Sequence, residues 1–419
     1  MKDYLNLSRM NFEMSKSQID FISKVDNSCR NLRKFEEESY LLEKFNEKLI
    51  PEFNKIGMLG CPISKQYGGL GYDMLTYLLS IERIGEEGSS IRTFLSAHTS
   101  IGQLVLQNWG NEEQNKEYLT NTTNGKSIMG FALTEPEAGS DPASLVTEYE
   151  DCGTYFVLRG KKHWIGNGTF AKIITTYARE KGTNKISAFI VEMDSQNIET
   201  IEMKNKMGLL TVKNAEIFFN NCIIPKKNLI GLKGQGLNIA YSALIDGRLS
   251  VAAGSIGVMQ DCLNEVVTYS KSRKQHGSVI AKKQLIQHHI SQIAISIETS
   301  KWLVYRAGCA RQKLHEYLIE FKTNNKTWIS KLNRDNEIYK KLRFEADRLA
   351  AIAKFHATNT AFDCANRSIQ IFGSAGYKKT SRVAKHFLDT RATTIYEGTN
   401  EVLELKIASA ILGNDYSSY

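Results

Sequence analysis

The sequence predicts a mainly α-helical chain carrying a β insert, and three observations support this. Only 5 prolines and 30 glycines accompany abundant Leu, Ile, Ala, Lys and Glu, a composition that favours helix. Helical periodicity fills the first part of the chain and returns in the last, whereas the stretch between reads as short strands separated by Gly and Asn. At 419 residues the chain is long for one core, which points to two or three domains sharing an interface. The expected order is an N-terminal helical domain over 1–128, a small central β-barrel or sheet over 129–230, and a C-terminal helical bundle over 231–419.

In the first domain, apolar positions recur at helical spacing over Phe21 to Leu42, Tyr77 to Ile84 and Ile101 to Trp109. Turns are marked by Gly57-Met-Leu-Gly60 and Tyr67-Gly-Gly-Leu-Gly71. Strands are predicted at Thr154 to Leu158, Ile173 to Tyr177, Lys185 to Val191 and Glu216 to Phe219. Gly231-Leu-Lys-Gly-Gln-Gly236 ends the insert, and helical periodicity then runs to Ile411. The Lys/Asn-rich stretch Lys322 to Lys341 reads equally as a loop or an extended helix end.

With 42% hydrophobic and 24% charged residues, the composition is that of a soluble globular protein. The apolar runs are too short to span a bilayer, and the start lacks a secretory h-region, so no membrane insertion and a cytoplasmic location are expected. Seven scattered cysteines without a CxxC pair suggest reduced thiols, and the eight histidines show no metal-binding spacing, so no metal is expected. The net charge of +9 suits a polyanionic partner such as a nucleotide-bearing cofactor, coenzyme A or an acidic carrier, and equally a lysine-rich surface. No pattern for nucleic acid accompanies it.

Five segments carry candidate chemistry. Arg391-Ala-Thr-Thr-Ile-Tyr-Glu-Gly-Thr-Asn-Glu401 places the carboxylate of Glu397 beside Gly398, Thr399, Asn400 and Glu401; a helix cap accounts for the same run. Phe131-Ala-Leu-Thr-Glu-Pro-Glu-Ala-Gly-Ser-Asp141 offers the hydroxyls of Thr134 and Ser140, with Gly139 allowing close backbone approach to a flavin edge or pyrophosphate. Gly160-Lys-Lys-His-Trp-Ile-Gly-Asn-Gly168 puts Trp164 on a strand and its following turn, able to cover a flat ring. Tyr269-Ser-Lys-Ser-Arg-Lys-Gln-His-Gly277 presents Arg273 to a phosphate, with Gln284 downstream. Gln370-Ile-Phe-Gly-Ser-Ala-Gly-Tyr377 is a glycine-bearing loop between helices; it follows no strand and is no dinucleotide fingerprint.

Taken in this order over nearly the whole chain, together with YGGLGYD near the start, these segments resemble the acyl-CoA dehydrogenase family. The resemblance implies a C-terminal four-helix bundle, bound FAD, and a homodimer or homotetramer with FAD between subunits. By the resemblance, Glu397 is the base that removes an α-proton from an acyl thioester. Phe131, Leu133, Thr134, Gly139 and Ser140, with Trp164, Ile165 and Gly166, hold the flavin. Arg273, Gln284, Gln370, Ile371, Gly373, Ser374, Gly398, Thr399, Asn400 and Glu401 hold its adenine nucleotide, in part from a neighbouring subunit. Ser140 and Arg248 match positions that meet the thioester, and Asp246, two residues before Arg248 where the family's Asp is often three before, is a further substrate candidate. The α-proton is far too weakly acidic for a free carboxylate, so a dry site with hydrogen bonds to the carbonyl oxygen is required, and burial is expected to raise the pKa of Glu397.

The chain departs from the family pattern at Gly166, where a Thr is usual, and at Leu210, His276 and Glu404. The segment Ser90-Ile-Arg-Thr-Phe-Leu-Ser-Ala-His98 bears on substrate: Arg92 and His98 suit a short polar or carboxylated acyl group, on coenzyme A or an acyl carrier protein, although an Arg bridging helix ends gives the same pattern. The electron acceptor is expected to be an electron-transfer flavoprotein or O₂. The alternatives are an oxidase, oxidation of a carrier-bound acyl group in extender-unit synthesis, and a flavin-binding scaffold without chemistry.

Overall fold

The computed structural model describes residues 13–325, 332, 336–413 and 415. Helix α1 (Lys16–Tyr40) starts at a capping box: Ser15 accepts from Gln18 N, and Gln18 Oε1 accepts from Ser15 N at 2.7 Å. Its buried face, Phe21, Val25, Cys29 and Leu32, recurs at helical spacing. Helix α2 (Leu49–Ile56) ends at Gly57 in the left-handed region, and α3 (Met74–Glu87) begins at the Asp73 cap. Helix α4 (Ser89–Leu95) runs into a π-helical segment, Ser96–Gln103, before α5 (Leu104–Trp109). Widened turns of this kind occur mostly at functional sites.

The β domain comprises β1 (Met129–Ala132), β2 (Glu148–Asp151), β3 (Tyr155–Gly166), β4 (Ile173–Glu180), β5 (Ile186–Glu192), β6 (Ile198–Glu202), β7 (Asn214–Pro225) and β8 (Leu229–Ile230). The strands lie in the order β6-β7-β3-β2-β4-β5-β8, with β1 parallel on β4. Alternation along β5 divides two cores: Ile186, Ala188 and Ile190 face the helices, whereas Phe189 and Val191 join Tyr149, Phe156 and Ile217 within the sheet domain. The sheet is thereby clamped to the helical layer along one face.

Helices α6 (Gly236–Ser272), α7 (Gln284–Asn324) and α8 (Glu337–Phe372) form the C-terminal bundle, joined by α9 (Arg382–Thr393) and α10 (Asn400–Leu412). Between α6 and α7, β9 (Lys274–Gln275) and β10 (Ser278–Val279) pair around His276 and Gly277, both at positive φ as a tight hairpin turn requires. Much of the Lys322 to Lys341 stretch lies outside the described residues; α7 extends through Asn324. Helices α3 and α6 approach closely because Gly85 and Gly257 carry no side chain; a Cβ on Gly85 would lie 2.6 Å from Gly254 O. The mainly α architecture with a central sheet matches the expectation from sequence. Among the described residues, no helix is long and apolar enough to cross a membrane.

Candidate active site

A cavity of about 870 Å³ opens where the three regions meet. Its walls come from α4 and the π segment, the β1 and β3 ends, the 206–214 loop, α6, α8, and the turn between α9 and α10. The turn supplies Glu397. Its φ of +58° precedes Gly398 at +92°, so a residue with a side chain sits in a conformation that costs about 1–3 kcal/mol unless its surroundings hold it. Arg248 Nε donates to Glu397 O at 3.1 Å, and Lys354 Nζ donates to Gly398 O at 2.8 Å. Glu397 Oε2 is buried without a hydrogen-bond partner. Burial pushes the carboxyl up to about 7, against the opposing pull of Arg248, Lys354 and Arg92.

Space for this carboxylate is made by Gly247 on α6: a Cβ there would lie 2.5 Å from Glu397 Cδ. Gly247→Ala is expected to displace the carboxylate and lower turnover at least about 10²-fold while leaving the circular-dichroism spectrum unchanged.

Arg92 is the second unusual group. It is 1% exposed, Nη2 donates to Tyr396 Oη at 2.7 Å, and Nε and Nη1 have no partner. The guanidinium fits because Gly254 faces it; a Cβ there would lie 2.6 Å from Nε. Ser96, one turn on, also lines the cavity, with its buried hydroxyl unpartnered. Burying a cation with two of its nitrogens unpaired is costly.

The opposite wall is the β-domain edge. Glu135 pins the Leu133 to Ser140 loop: its carboxylate takes Lys162 Nζ at 2.7 Å and the Val146 and Thr147 N–H groups at 2.6 and 3.0 Å. Thr134 O accepts from His163 N at 2.9 Å, completing the loop's anchorage to β3. The β3–β7 ladder slips between Lys162 and Ile165, and at this bulge Trp164 takes φ +59° and turns outward, 51% exposed. Asn167 Nδ2 ties the strand end to Phe94 O and Met129 O at 3.2 and 3.1 Å. A side chain at Gly166 would meet Ala97 Cβ at 3.3 Å, so the π segment fills room that a threonine needs.

Of the residues singled out from sequence, Arg92, Phe131, Leu133, Thr134, Gly139, Ser140, Trp164, Ile165, Gly166, Arg248, Glu397, Gly398 and Thr399 line this cavity. Others lie elsewhere. His98, expected at the acyl group, is fully buried; its Nδ1 accepts from Met129 N at 3.0 Å and its Nε2 donates to Thr122 O at 3.2 Å. Burial pushes it down to about 4, so it is a neutral clamp on the π segment rather than a cavity residue. Asp246 faces Arg311, with hydrogen bonds of 2.6 and 2.8 Å between two buried side chains, and does not line the cavity. Thr399 caps α10 through Val402 N, and Asn400 is held inside by Lys354 at 2.8 Å and Asn359 at 2.8 Å. Glu401 is exposed on the first turn of α10.

Arg273, Gln284, Gln370, Gly373 and Ser374 are exposed, and Ile371 is buried. They do not line the cavity; Arg273 stands 25 residues beyond Arg248 on one helix, about 37 Å along its axis. Gln370 and Ile371 belong to the last turn of α8, and Gly373 and Ser374 follow it. Tyr269 stacks on Phe372 at 4.2 Å and donates to Phe372 O, which joins the end of α6 to this loop at one end of the bundle. Sequence reading missed Glu135, Lys162, Gly247, Gly254, Lys354 and Tyr396, whose roles rest on long-range contacts; Glu135, Lys162 and Tyr396 lie inside segments already singled out, whereas Gly247, Gly254 and Lys354 lie outside them.

Comparison with known proteins agrees with this geometry. The acyl-CoA dehydrogenase N-terminal, middle and C-terminal domain families match residues 17–126, 130–222 and 234–412. A short-chain specific acyl-CoA dehydrogenase of Clostridium acetobutylicum is 33% identical over 372 residues, covering 88% of this chain and 90% of that protein. Butyryl-CoA dehydrogenase of Megasphaera elsdenii superposes with a TM-score of 0.86 at 29% identity, covering 96% of this chain and all of that one. A glutaryl-coenzyme A dehydrogenase in complex with glutaryl-CoA gives 0.86 at 27% identity, over 98% of both chains. The chain belongs to the acyl-CoA dehydrogenase family of oxidoreductases.

Proposed function

We propose that this enzyme binds FAD and introduces an α,β double bond into a short acyl thioester whose far end is polar or anionic, with Glu397 as the base. The observation that supports it is one cavity holding two unsatisfied charged groups, Oε2 of Glu397 and the free nitrogens of Arg92. The residues present suit FAD. Trp164 offers an exposed aromatic face, the space around Gly139 is open to 4 Å, and about 870 Å³ exceeds what a short acyl chain needs. Bound FAD supplies a two-electron acceptor for the hydrogen leaving the β-carbon.

The protein's own groups do the rest. Glu397 takes the α-proton; its raised pKa narrows the gap to that weak acid. Its left-handed turn aims the carboxylate inward, and the apolar walls keep water from the developing enolate. Arg92, with Tyr396 and Ser96, receives the acyl terminus and so fixes which carbon lies under Glu397. The exposed group Arg273, Gln284, Gln370, Gly373 and Ser374, far along the bundle, fits a nucleotide contact made across a subunit interface in a homo-oligomer.

The test is an anaerobic flavin-bleaching screen of thioesters on coenzyme A and on an acyl carrier protein, with plain, hydroxylated and carboxylated acyl groups. Bleaching fastest with a carboxylated or hydroxylated short chain is expected; bleaching only by plain chains would remove Arg92 from substrate choice, and none at all would overturn the reading. Readmitting O₂ separates an oxidase, which forms peroxide stoichiometrically, from an enzyme needing a partner flavoprotein.

A further inference from the structure

We propose that Lys354 is a positioning residue for the base, holding the Glu397–Gly398 turn from α8 and placing a positive charge behind it. This rests on Glu397 being the base. Two consecutive left-handed residues give the turn no regular hydrogen-bond pattern, and only Gly398 adopts that backbone without strain. Its two carbonyls are held by cations from different helices: Glu397 O by Arg248 on α6, Gly398 O by Lys354 on α8.

Arg248 is also engaged by Asp347, 2.7 Å from Nη1. Lys354 is different. It is fully buried and, among the described residues, has no carboxylate within ion-pair distance; its partners are Gly398 O and Asn400 Oδ1, each at 2.8 Å. Asn400 passes the constraint on, donating to Thr358 Oγ1 at 3.1 Å and Asn359 Oδ1 at 2.8 Å on α8, while its backbone N–H returns to Thr394 O. One ammonium thus ties the turn to both the helix beneath it and the start of α10. Such a buried amine is costly unless its charge is used.

The charged groups acting on Glu397 are Arg248 and Asp246 from α6, Lys354 from α8 and Arg92 from α4. Burial pushes Lys354 down to about 7, aided by Arg248 and opposed by Glu397 and Glu401, so the amine carries its charge on the acid limb. Removing Lys354 therefore withdraws attraction from the ionised base, and the acid limb of turnover moves to higher pH.

Lys354→Met and Lys354→Gln are compared with the parent holoenzyme by kcat, KM, melting temperature and the kcat–pH profile. Lys354→Met is expected to lower kcat about tenfold or more with KM within about twofold, and to move the acid limb up by about half a pH unit or more. Lys354→Gln keeps a donor without the charge, so the limb shift should persist with a smaller loss of kcat; it decides the question if the Met variant does not fold. An unmoved limb in the folded variants, or a kcat loss that only follows melting temperature, overturns the proposal. Glu397→Gln is the control: activity in that variant would mean the assignment of the base is what fails.

Discussion

Glu397→Gln is expected to slow anaerobic flavin bleaching about 10³- to 10⁴-fold, with FAD still bound and the fold intact. The substitution keeps shape and burial but removes the only cavity carboxylate whose Oε2 lacks a partner among the described residues. Normal bleaching in this variant would take the proton-transfer role away from Glu397. Since only the ionised form accepts a proton, wild-type turnover should fall as the pH drops below about 7. Stability moves the other way. The folded pKa lies above the unfolded value of 4.5, so the protonated carboxyl favours the native state at low pH, and this contribution is lost as pH rises through about 7. Glu397→Gln should therefore melt above the wild type at about pH 8, the gap narrowing toward about pH 5, a readout independent of turnover.

Arg92→Met is expected to cost about 10²-fold or more in kcat/KM for a carboxylated short acyl thioester and less than about threefold for butyryl thioester. The reason is geometric: two guanidinium nitrogens already desolvated and unpaired meet an anionic terminus with little further desolvation. Methionine fills similar volume without charge, so native stability should hold or rise, because the variant relieves a buried cation of its unmet demand. Equal losses on both substrates would show Arg92 to be a structural bridge to Tyr396 and nothing more.

Much of the architecture was legible because its signals are local. Short strand-like runs separated by Gly and Asn marked β4 and β5, and helical periodicity marked α1 and α3, since each pattern is set within one element. The β3 boundary was read short, at Leu158, because the strand continues through a polar stretch whose Lys162 is buried only by pairing with distant Glu135. In the IYEGTNE run Thr399 is a helix cap, as one of its readings had it, and the turn before it carries Glu397 into the cavity wall. His98 misled for a physical reason, since a histidine near an arginine in sequence does not share its direction once a π-helical turn intervenes. Gly247 and Lys354 gave no warning at all, as nothing near them in sequence mentions the carboxylate they serve.

Gly254 joins two matters usually kept apart. Its missing side chain leaves room for the guanidinium of Arg92, and its backbone is the surface on which Gly85 of α3 rests, so one turn of α6 serves both the seating of two helices and the placing of Arg92. Any added atom at 254 would have to be matched by a shorter residue at 92, exchanging volume across the contact. On the role proposed for Arg92, a change of acyl preference would pass through the turn of α6 on which α3 is seated.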